Sequence, residues 1–391
     1  MEKILGFLGM FVIVGITYLF SSNKKEVNWK SVCYAFVAQI VLAVLLIKTP
    51  MWKLVEWLSN GVAWILAQAN EGINFVFGGL VPTGGFVFFI NSLLPIVFIS
   101  ALMGLLFHFG ILQKFIQVLG NSLAKFLKVD TLAVVNGIAN MFMGQTDSLF
   151  VTKSYLPSAK DSVIFATMVG GMTSISTAVV GLYASMGAKM EWIIISMPLT
   201  VFSTFVLTQI LMPTKYSDEK IEVETNDIGV NAIETMMNYA NSAFKCVIGI
   251  TVALLVFLSL VAMVNNFIGL LFDGVTIQSI LGIVFKPLAY LMGVPLNEFS
   301  MVSEILATKL VTNETVAFGL PQFMMLSENT RAMVTVALCG FAGIGSCGIL
   351  LGAYQAIAPN KVGVVAKLGI KALLCATAVN MLTGTVVGLL L

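Results

Sequence analysis

Apolar stretches as long as a membrane-crossing helix recur from one end of the chain to the other. The hydrocarbon core of a bilayer takes about 20 residues of α-helix. Hydrophobic residues make up 58% of the 391 residues and charged residues 10%, which is more apolar sequence than a water-soluble core can absorb. The sequence therefore predicts an all-α integral membrane protein with about eight transmembrane helices. We expect these spans at 4–20, 31–49, 89–107, 161–186, 192–212, 246–271, 330–352 and 364–391.

Three further apolar segments contain too many polar residues to be simple spans. The segment 52–80 places three tryptophans among charged residues, and the segments 110–128 and 232–245 are similar. Helices with one apolar face and tryptophans at the boundary lie in the plane of the membrane interface. We expect interfacial amphipathic helices at all three places.

Two stretches, 131–160 and 296–326, consist of short apolar halves interrupted by polar residues, glycine or proline. Each is followed by an apolar span with its own polar break, "GGMTSISTAVVG" at 170–181 and "GFAGIGSCG" at 340–348. Interrupted segments in corresponding places of two halves are typical of secondary transporters. The pattern predicts two re-entrant helical hairpins, each followed by a broken helix, arranged as an inverted repeat.

Lysines in short loops predict the orientation in the membrane. Lys24, Lys25 and Lys30 lie in the loop 21–30, and further lysines precede the last span. Because positive residues mark cytoplasmic loops, both termini are predicted to be extracytoplasmic. We expect a multi-pass protein of the cell inner (plasma) membrane, surrounded by the lipid bilayer.

Several classes of function are poorly supported by the composition. The five cysteines lack the paired spacing of a zinc site or disulfide framework, and His108 is the one histidine. A net charge of +2 without a basic cluster argues against nucleic-acid binding. No nucleophile with a neighbouring base stands at recognisable spacing, so we expect neither an enzyme nor a bound cofactor.

Asp147, in "QTDS", and Glu314, in "TNET", are carboxylates inside the two interrupted stretches. A carboxylate at hydrocarbon depth is costly and normally marks a path for a substrate or an ion. The alternative is that each caps the second half of its hairpin. Capping needs no carboxylate, however, because Thr146 and Asn313 are adjacent and can cap.

The neighbours of these carboxylates indicate an uncharged solute. Neither tip supplies an arginine, and Lys153 and Lys309 lie five or six residues away along the chain; we expect both lysines to be structural, pairing with acidic neighbours or reaching an interface. A hydroxyl-rich solute suits acceptor carboxylates, while Gln145 and Thr146 offer the donors and acceptors that a base edge needs. Phe341 provides a flat apolar contact or packs in the core.

A cation site is also expected at the first hairpin. Backbone carbonyls freed where half-helices end, together with amide or hydroxyl oxygens, form small cages for hard cations. Asn140, near the end of the first half of the hairpin, and Ser174, in the "TSIS" break, are placed to contribute. The alternative for Ser174 is a hydrogen bond to its own helix.

The chain resembles the concentrative nucleoside transporters in their short bacterial form. The resemblance rests on "NEGINFVFGGL" (70–80), "LPIVFISALMGLL" (94–106), "GQTD" (144–147), "ATKLVTNETVA" (307–317) and "GFAG" (340–343), in the family's order. It implies a homotrimer of eight-span protomers, each with a scaffold and a mobile transport part. It also implies uptake of nucleosides by an elevator movement that an ion gradient drives.

The resemblance implies a division of this chain into four regions. Residues 1–130 are mainly scaffold, and residues 131–212 contain the first hairpin and transport-domain helices. An acidic loop, an interfacial helix and a scaffold span occupy 213–275. Residues 276–391 contain the second hairpin, its broken helix and the last span.

Roles for single residues are also implied by the resemblance. Glu314 accepts hydrogen bonds from ribose hydroxyls, and Ser346 lies near the ribose. The residues expected around the nucleobase are Gln145, Thr146, Asp147, Val179 and Phe341. The sodium ligands expected are the side chains of Asn140 and Ser174 and the carbonyls of Met143 and Ile175.

Three features depart from the family pattern or bear on coupling. Gly343 stands in "FAGIGS" where the family commonly has "FAN" followed by two serines, so an amide near ribose is missing. Asp147 stands where glutamate is usual and is one methylene shorter. Proton-coupled bacterial relatives tend to lack an asparagine at the position of Asn140, so this sequence favours sodium over protons.

Other functions remain open from the sequence. Gly343 prompts the alternative of a transporter for nucleobases or modified nucleosides. A channel is a further alternative, because polar re-entrant loops also line pores. Accumulation of solute against a gradient distinguishes a symporter from a channel.

Overall fold

The computed structural model describes residues 2–80, 85–217, 220–223, 229–272 and 274–391. All regular secondary structure in these ranges is helical. The helices before the first hairpin are α1 (Glu2–Leu19), α2 (Trp29–Lys48), α3 (Trp52–Phe77), α4 (Pro95–His108) and α5 (Ile111–Leu127). Those of the first hairpin and its broken helix are α6 (Thr131–Met143), α7 (Asp147–Phe150), α8 (Asp161–Thr173), α9 (Val180–Ser185) and α10 (Met190–Leu211).

The second half of the chain begins with two connecting helices, α11 (Ala232–Leu271) and α12 (Ile277–Leu291). The remaining helices are α13 (Phe299–Val311), α14 (Glu314–Phe318), α15 (Pro321–Met325), α16 (Glu328–Leu338), α17 (Ile344–Ile357) and α18 (Val362–Leu390). Short 3-10 or π turns lie at Lys24–Glu26, Gly78–Leu80, Phe89–Leu93, Leu156–Ser158, Thr177–Val179, Leu296–Glu298 and Pro359–Lys361.

Seven helical segments in the described part of the chain are long and apolar enough to cross a membrane. They correspond to seven of the eight expected spans. The eighth, 330–352, is divided into α16 and α17, because the chain leaves helical geometry at Cys339 and resumes it after Gly343. The expected number of about eight spans is met when this broken helix is counted.

The segment 232–245 is not a separate interfacial helix, which corrects one expectation. It continues without a break into the following span to form α11, a single helix of 40 residues. At about 1.5 Å per residue such a helix is roughly 60 Å long, twice the thickness of the hydrocarbon core. No proline or glycine interrupts the junction between the two segments. The expected helices at 52–80 and 110–128 are present as α3 and α5.

Both hairpins form where the polar interruptions lie. In the first hairpin, Gly144 turns the chain with φ +92°, a conformation that favours glycine. The Asn136 amide of α6 then donates to the Ser148 carbonyl at 2.8 Å, which joins the two arms. In the second hairpin, α13 ends at Val311 and Asn313 caps α14.

The broken helices lie at the centre of the protein. The first break, residues 174–176, separates α8 from the turn that leads to α9, and the second break, residues 339–343, separates α16 from α17. In the most apolar window of the segment 161–185, 89% of the residues are buried, against 6% for α11. The polar breaks are therefore enclosed by protein, as irregular backbone in a membrane requires.

Candidate functional site

The first hairpin is joined to the first break by three contacts. The Thr177 hydroxyl, directly after the break, donates to the Met141 carbonyl at 3.1 Å. The Asn140 amide donates to the Gly170 carbonyl, near the end of α8, at 2.9 Å. A Cβ added at Gly144 would lie 3.3 Å from the Ser176 Cβ. The end of α6 and the extended residues of the break are thus held side by side.

Residues with oxygen atoms suited to a hard cation lie on both sides of this junction between the first hairpin and the first break. Asn140 is fully buried, and its Oδ1 has no hydrogen-bond partner among the described residues. The Ser174 hydroxyl donates to the Ile175 carbonyl at 3.2 Å rather than to its own helix, which leaves its lone pairs available. Met143 is the last residue of α6. The four expected ligand residues thus lie at the end of α6 and in the first break, and all of them would contribute oxygen atoms, which hard cations prefer.

The tip of the first hairpin presents three polar side chains in different surroundings. Gln145 is 6% exposed, and neither polar atom of its amide has a partner among the described residues. Thr146 is half-buried and Asp147 is exposed. A buried amide without partners is costly, which makes Gln145 the strongest sign of a binding site at this tip.

Glu314 is buried at the tip of the second hairpin and is not its cap. The cap is Asn313, whose Oδ1 accepts from the Val316 backbone N–H at 2.9 Å. The Glu314 carboxylate accepts instead from the Tyr183 hydroxyl at 2.9 Å and from Thr315 at 3.4 Å, both through Oε1. One oxygen of the carboxylate is thus fixed by the protein.

Tyr183 is a site residue that sequence reasoning missed. It lies in α9, is fully buried, and stacks on Phe318 with ring centroids 4.7 Å apart. Phe323 packs edge-on against Phe318. The aromatic contacts fix the ring, so the hydroxyl is aimed at Glu314. The only signal in the sequence was a hydroxyl in the apolar run "VVGLYAS".

Lys309 is buried instead of reaching an interface. It is 4% exposed, and its ammonium donates to the Ala337 carbonyl at 2.7 Å and to Asn380 Oδ1 at 2.9 Å. Asn380, which sequence reasoning also missed, donates in turn to the Thr173 carbonyl at 2.7 Å. Lys309 also attracts the Glu314 carboxylate. Lys153, which the sequence places near Asp147 as Lys309 is near Glu314, lies after α7 and interacts with other groups.

The second break packs tightly on its neighbours through two glycines. A Cβ at Gly340 would overlap the Thr173 carbonyl oxygen and lie 2.5 Å from Asn380 Oδ1. A Cβ at Gly343 would lie 2.9 Å from the Thr312 carbonyl oxygen. The absence of a side chain at Gly343 therefore allows the second hairpin to approach this break closely.

The remaining site residues lie around the two breaks. Val179 is 5% exposed in the turn before α9, and Phe341 is half-buried. Ser346 is buried, and its hydroxyl donates to the Phe341 carbonyl. Because its proton is used within the break, Ser346 offers a solute only an acceptor.

The two hairpins and the two breaks are linked by direct contacts into one unit. The first hairpin contacts the first break, the last residue of α8 before that break contacts the second break at Gly340, and the second break contacts the second hairpin at Gly343. Tyr183 then joins α9 to Glu314. Such an arrangement can hold a polar solute between protein segments and needs no bond-making step.

Three family models match the chain in order. They are "Na+ dependent nucleoside transporter N-terminus" at residues 8–80, "Nucleoside recognition" at 89–190, and "Na+ dependent nucleoside transporter C-terminus" at 192–388. The chain belongs to the concentrative nucleoside transporter family. Members of this family are transporters and not enzymes.

Relatives match the chain over its full length. The nucleoside permease NupC of Helicobacter pylori is 32% identical, over 98% of this chain and 96% of that protein. The solved structure of CNTnw in an inward-facing substrate-bound state is 32% identical, covers 99% of this chain and 98% of that one, and has a TM-score of 0.93. These matches support a multi-pass membrane protein with the expected helical fold.

A second solved structure shows a CNTnw variant in an outward-facing state, with a TM-score of 0.94 and 31% identity over 100% of this chain and 98% of that one. Inward-facing and outward-facing states of one relative support alternating access for the family.

Proposed function

We propose that this protein is a cation-coupled symporter that imports nucleosides, with sodium as the coupling ion, by an elevator movement of the hairpin-bearing part. The observation that carries the proposal is the pair of buried polar groups at the hairpin tips. Gln145 has two amide atoms without partners among the described residues, and Glu314 has one oxygen fixed by Tyr183. Both are suited to a neutral solute rich in hydrogen-bonding groups.

The nucleobase is proposed to bind at the first hairpin. The amide of Gln145 can donate and accept at a base edge, and Thr146 adds a hydroxyl. Asp147, exposed beside them, reaches the base through a water because its side chain is short. Val179 and Phe341 offer apolar surfaces to the base faces.

The ribose is proposed to bind at the second hairpin. The second oxygen of Glu314 accepts from sugar hydroxyls, and hydrogen bonds to a charged acceptor are stronger than neutral ones. Ser346 accepts a further hydrogen bond, since its own proton goes to Phe341. No side chain at 343 assists, because Gly343 faces the Thr312 carbonyl.

Sodium is proposed to be the co-transported substrate. It would bind at the first junction, where the first hairpin meets the first break, through the side chains of Asn140 and Ser174 and the carbonyls of Met143 and Ile175. The unpartnered Oδ1 of Asn140 supports this assignment. So does the family description, which names sodium dependence. A proton is the alternative coupling ion, and it would need no oxygen cage at Asn140.

The assembly is proposed to be a homotrimer with both termini extracytoplasmic. The support is the exposed surface of α11, of whose apolar window only 6% is buried within the protomer. Residues 1–130 and 213–275 are proposed as mainly scaffold, and 131–212 and 276–391 as the transport part. The mass of the purified protein by light scattering, corrected for detergent, tests the trimer.

Uptake into proteoliposomes tests the proposed function. Labelled uridine and adenosine are offered with an inward sodium gradient, an inward proton gradient, or neither. We expect accumulation driven by sodium, abolished by Glu314→Gln and reduced strongly by Asn140→Ala. Proton-driven accumulation that is indifferent to Asn140→Ala would replace sodium with protons. Equilibration without accumulation would indicate a channel.

A second candidate solute is a free nucleobase or a modified nucleoside. The close approach of Gly343 to the second hairpin favours it, because one ribose contact is absent. Competition of uridine uptake by uracil, adenine and 2′- or 3′-modified nucleosides separates the two. Inhibition by free bases at lower concentrations than by nucleosides would support this candidate.

A further inference from the structure

The two hairpins place a polar side chain at corresponding positions. Asn140 lies in the last turn of α6 and donates to a carbonyl near the end of the following half-helix, Gly170 of α8. Lys309 lies in the last turn of α13 and donates to Ala337, near the end of the following half-helix α16. The second hairpin thus presents a charged ammonium where the first presents an amide.

The surroundings of the Lys309 ammonium resemble those of a bound cation. The C-terminal end of a helix carries a partial negative charge, and Ala337 lies at such an end. Asn380 adds a side-chain oxygen and, through its amide, reaches the Thr173 carbonyl at the end of α8. The Glu314 carboxylate also attracts this ammonium. The ammonium therefore binds the end of α16 directly, is linked to the end of α8 through Asn380, and attracts the carboxylate.

Neither packing nor snorkelling explains this lysine. At 4% exposure its charge would be very costly without these oxygen partners. A lysine has three donors, and two of them go to oxygens at 2.7 and 2.9 Å. A mobile cation bound at the first junction would meet the same kind of atoms, namely a side-chain amide oxygen and half-helix carbonyls.

We propose that the Lys309 ammonium is a tethered cation that fills, at the second hairpin, an oxygen site of the same kind as the one that takes the mobile coupling ion at the first hairpin. The second hairpin then needs no ion from solution, and one sodium crosses with each nucleoside. This inference rests on the proposed function for the role of the first site. Removing the ammonium and leaving its oxygen partners opens a second sodium site.

Sodium-dependent stability of the purified protein tests the inference without measuring transport. The melting temperature is recorded from low to high sodium, with choline keeping the ionic strength constant. A ligand that binds only the folded state stabilises it with a slope set by the number of ions bound. We expect Lys309→Ser, which leaves room and a hydroxyl oxygen, to double the wild-type stabilisation per tenfold increase in sodium.

Two variants serve as controls. Lys309→Met removes the charge and fills the space without an oxygen ligand, so its slope should stay at the wild-type value. Lys153→Ser, in the first hairpin, should also leave the slope unchanged. An unchanged slope in Lys309→Ser, or an equal increase in Lys153→Ser, would overturn the inference.

The wild-type protein provides an independent measurement if the Lys309 variants do not fold. The charge that moves per nucleoside, measured from reversal potentials in proteoliposomes, should be one; a value of two would overturn the inference. A failure of the proposed sodium coupling gives a different result from a failure of this inference. If wild-type stability does not depend on sodium but Lys309→Ser gains such a dependence, sodium coupling fails and the tethered cation is supported.

Discussion

At the scale of single residues, two buried tyrosines allow the role of Tyr183 to be separated from its packing. Tyr183 donates to Glu314 at 2.9 Å, whereas the hydroxyls of Tyr354 in α17 and Thr167 in α8, which belong to neither hairpin, lie 2.6 Å apart. Tyr183→Phe keeps the stacked ring and removes the bond to the carboxylate. A hydrogen bond to a charged group contributes about 1.5–3 kcal/mol, so we expect the KM for uridine to rise about tenfold or more.

The matched control is Tyr354→Phe. Both variants lose one buried hydrogen bond, so both should melt at a lower temperature; the neutral bond lost in Tyr354→Phe contributes about 1 kcal/mol to stability, and the bond to a carboxylate lost in Tyr183→Phe contributes more. Only Tyr183→Phe should change the KM. Equal KM values in the two variants would show that Tyr183 does not position the carboxylate.

A second prediction concerns the contact between the two breaks. Gly340→Ala places a methyl group against the Thr173 carbonyl and Asn380. Overpacking of this kind costs about 1–3 kcal/mol, so the variant should melt at a lower temperature and lose uptake. Gly345→Ala is the control, because a Cβ there meets nothing within 4 Å and alanine favours a helix. A Gly340→Ala protein as stable as Gly345→Ala would contradict the close contact.

The sequence alone predicted some of the residues of the candidate site but not all of them. Asp147 and Glu314 could be found because a charge stands out in an apolar run. Tyr183 and Asn380 could not, because a single tyrosine or asparagine is common and its partner is distant. Tyr183 is 131 residues from Glu314, and Asn380 is 71 residues from Lys309. Only the fold brings these groups together.

At the scale of elements, breaks in periodicity were more informative than hydropathy. Polar residues and glycines interrupting the apolar runs predicted both hairpins and both broken helices, since backbone at membrane depth needs such partners. The amphipathic character of 232–245 predicted a separate helix, which is wrong. Composition changes there, but nothing in "NSAFKCVIG" stops a helix, so α11 continues.

The packing of α3 against α9 gives a prediction at the same scale. A Cβ at Gly181 of α9 would lie 2.5 Å from Cδ2 of Leu66 in α3. Gly181→Ala should therefore push the two helices apart and reduce uptake. Adding Leu66→Ala removes the obstructing methyl groups and should restore part of the loss. A double-mutant cycle of uptake rates measures the coupling, and strictly additive effects would argue against direct packing.

At the scale of the whole protein, the exposed helix α11 packs against α4. A Cβ at Gly104 of α4 would lie 2.8 Å from Tyr239 of α11, and His108 Nδ1 lies 3.0 Å from the Thr235 hydroxyl. The helices α8, α10 and α18 are instead mostly buried. This contrast is consistent with the proposed division into a scaffold and a transport part, which the sequence indicated through resemblance alone.

A disulfide can test whether these parts move past each other. The Ser185 hydroxyl of α9 donates to the Ser92 hydroxyl, beside α4, at 2.9 Å, so cysteines at both positions are close enough to be joined. We expect oxidised Ser92→Cys/Ser185→Cys to lose uptake and to regain it after reduction. Each single variant under the same oxidation is the control. Full uptake by the joined protein would rule out relative movement at this contact.

The meeting of the two breaks also has an evolutionary consequence. Gly340 belongs to the second half of the chain and the Thr173 carbonyl to the first. The surface of each half is therefore complementary to that of the other at this contact. A residue larger than glycine at position 340 requires a change around Thr173, so the two halves cannot vary independently at this contact. A chimera that takes one half from a distant relative would inherit a surface shaped for a different counterpart, and compatible halves should share their ancestry.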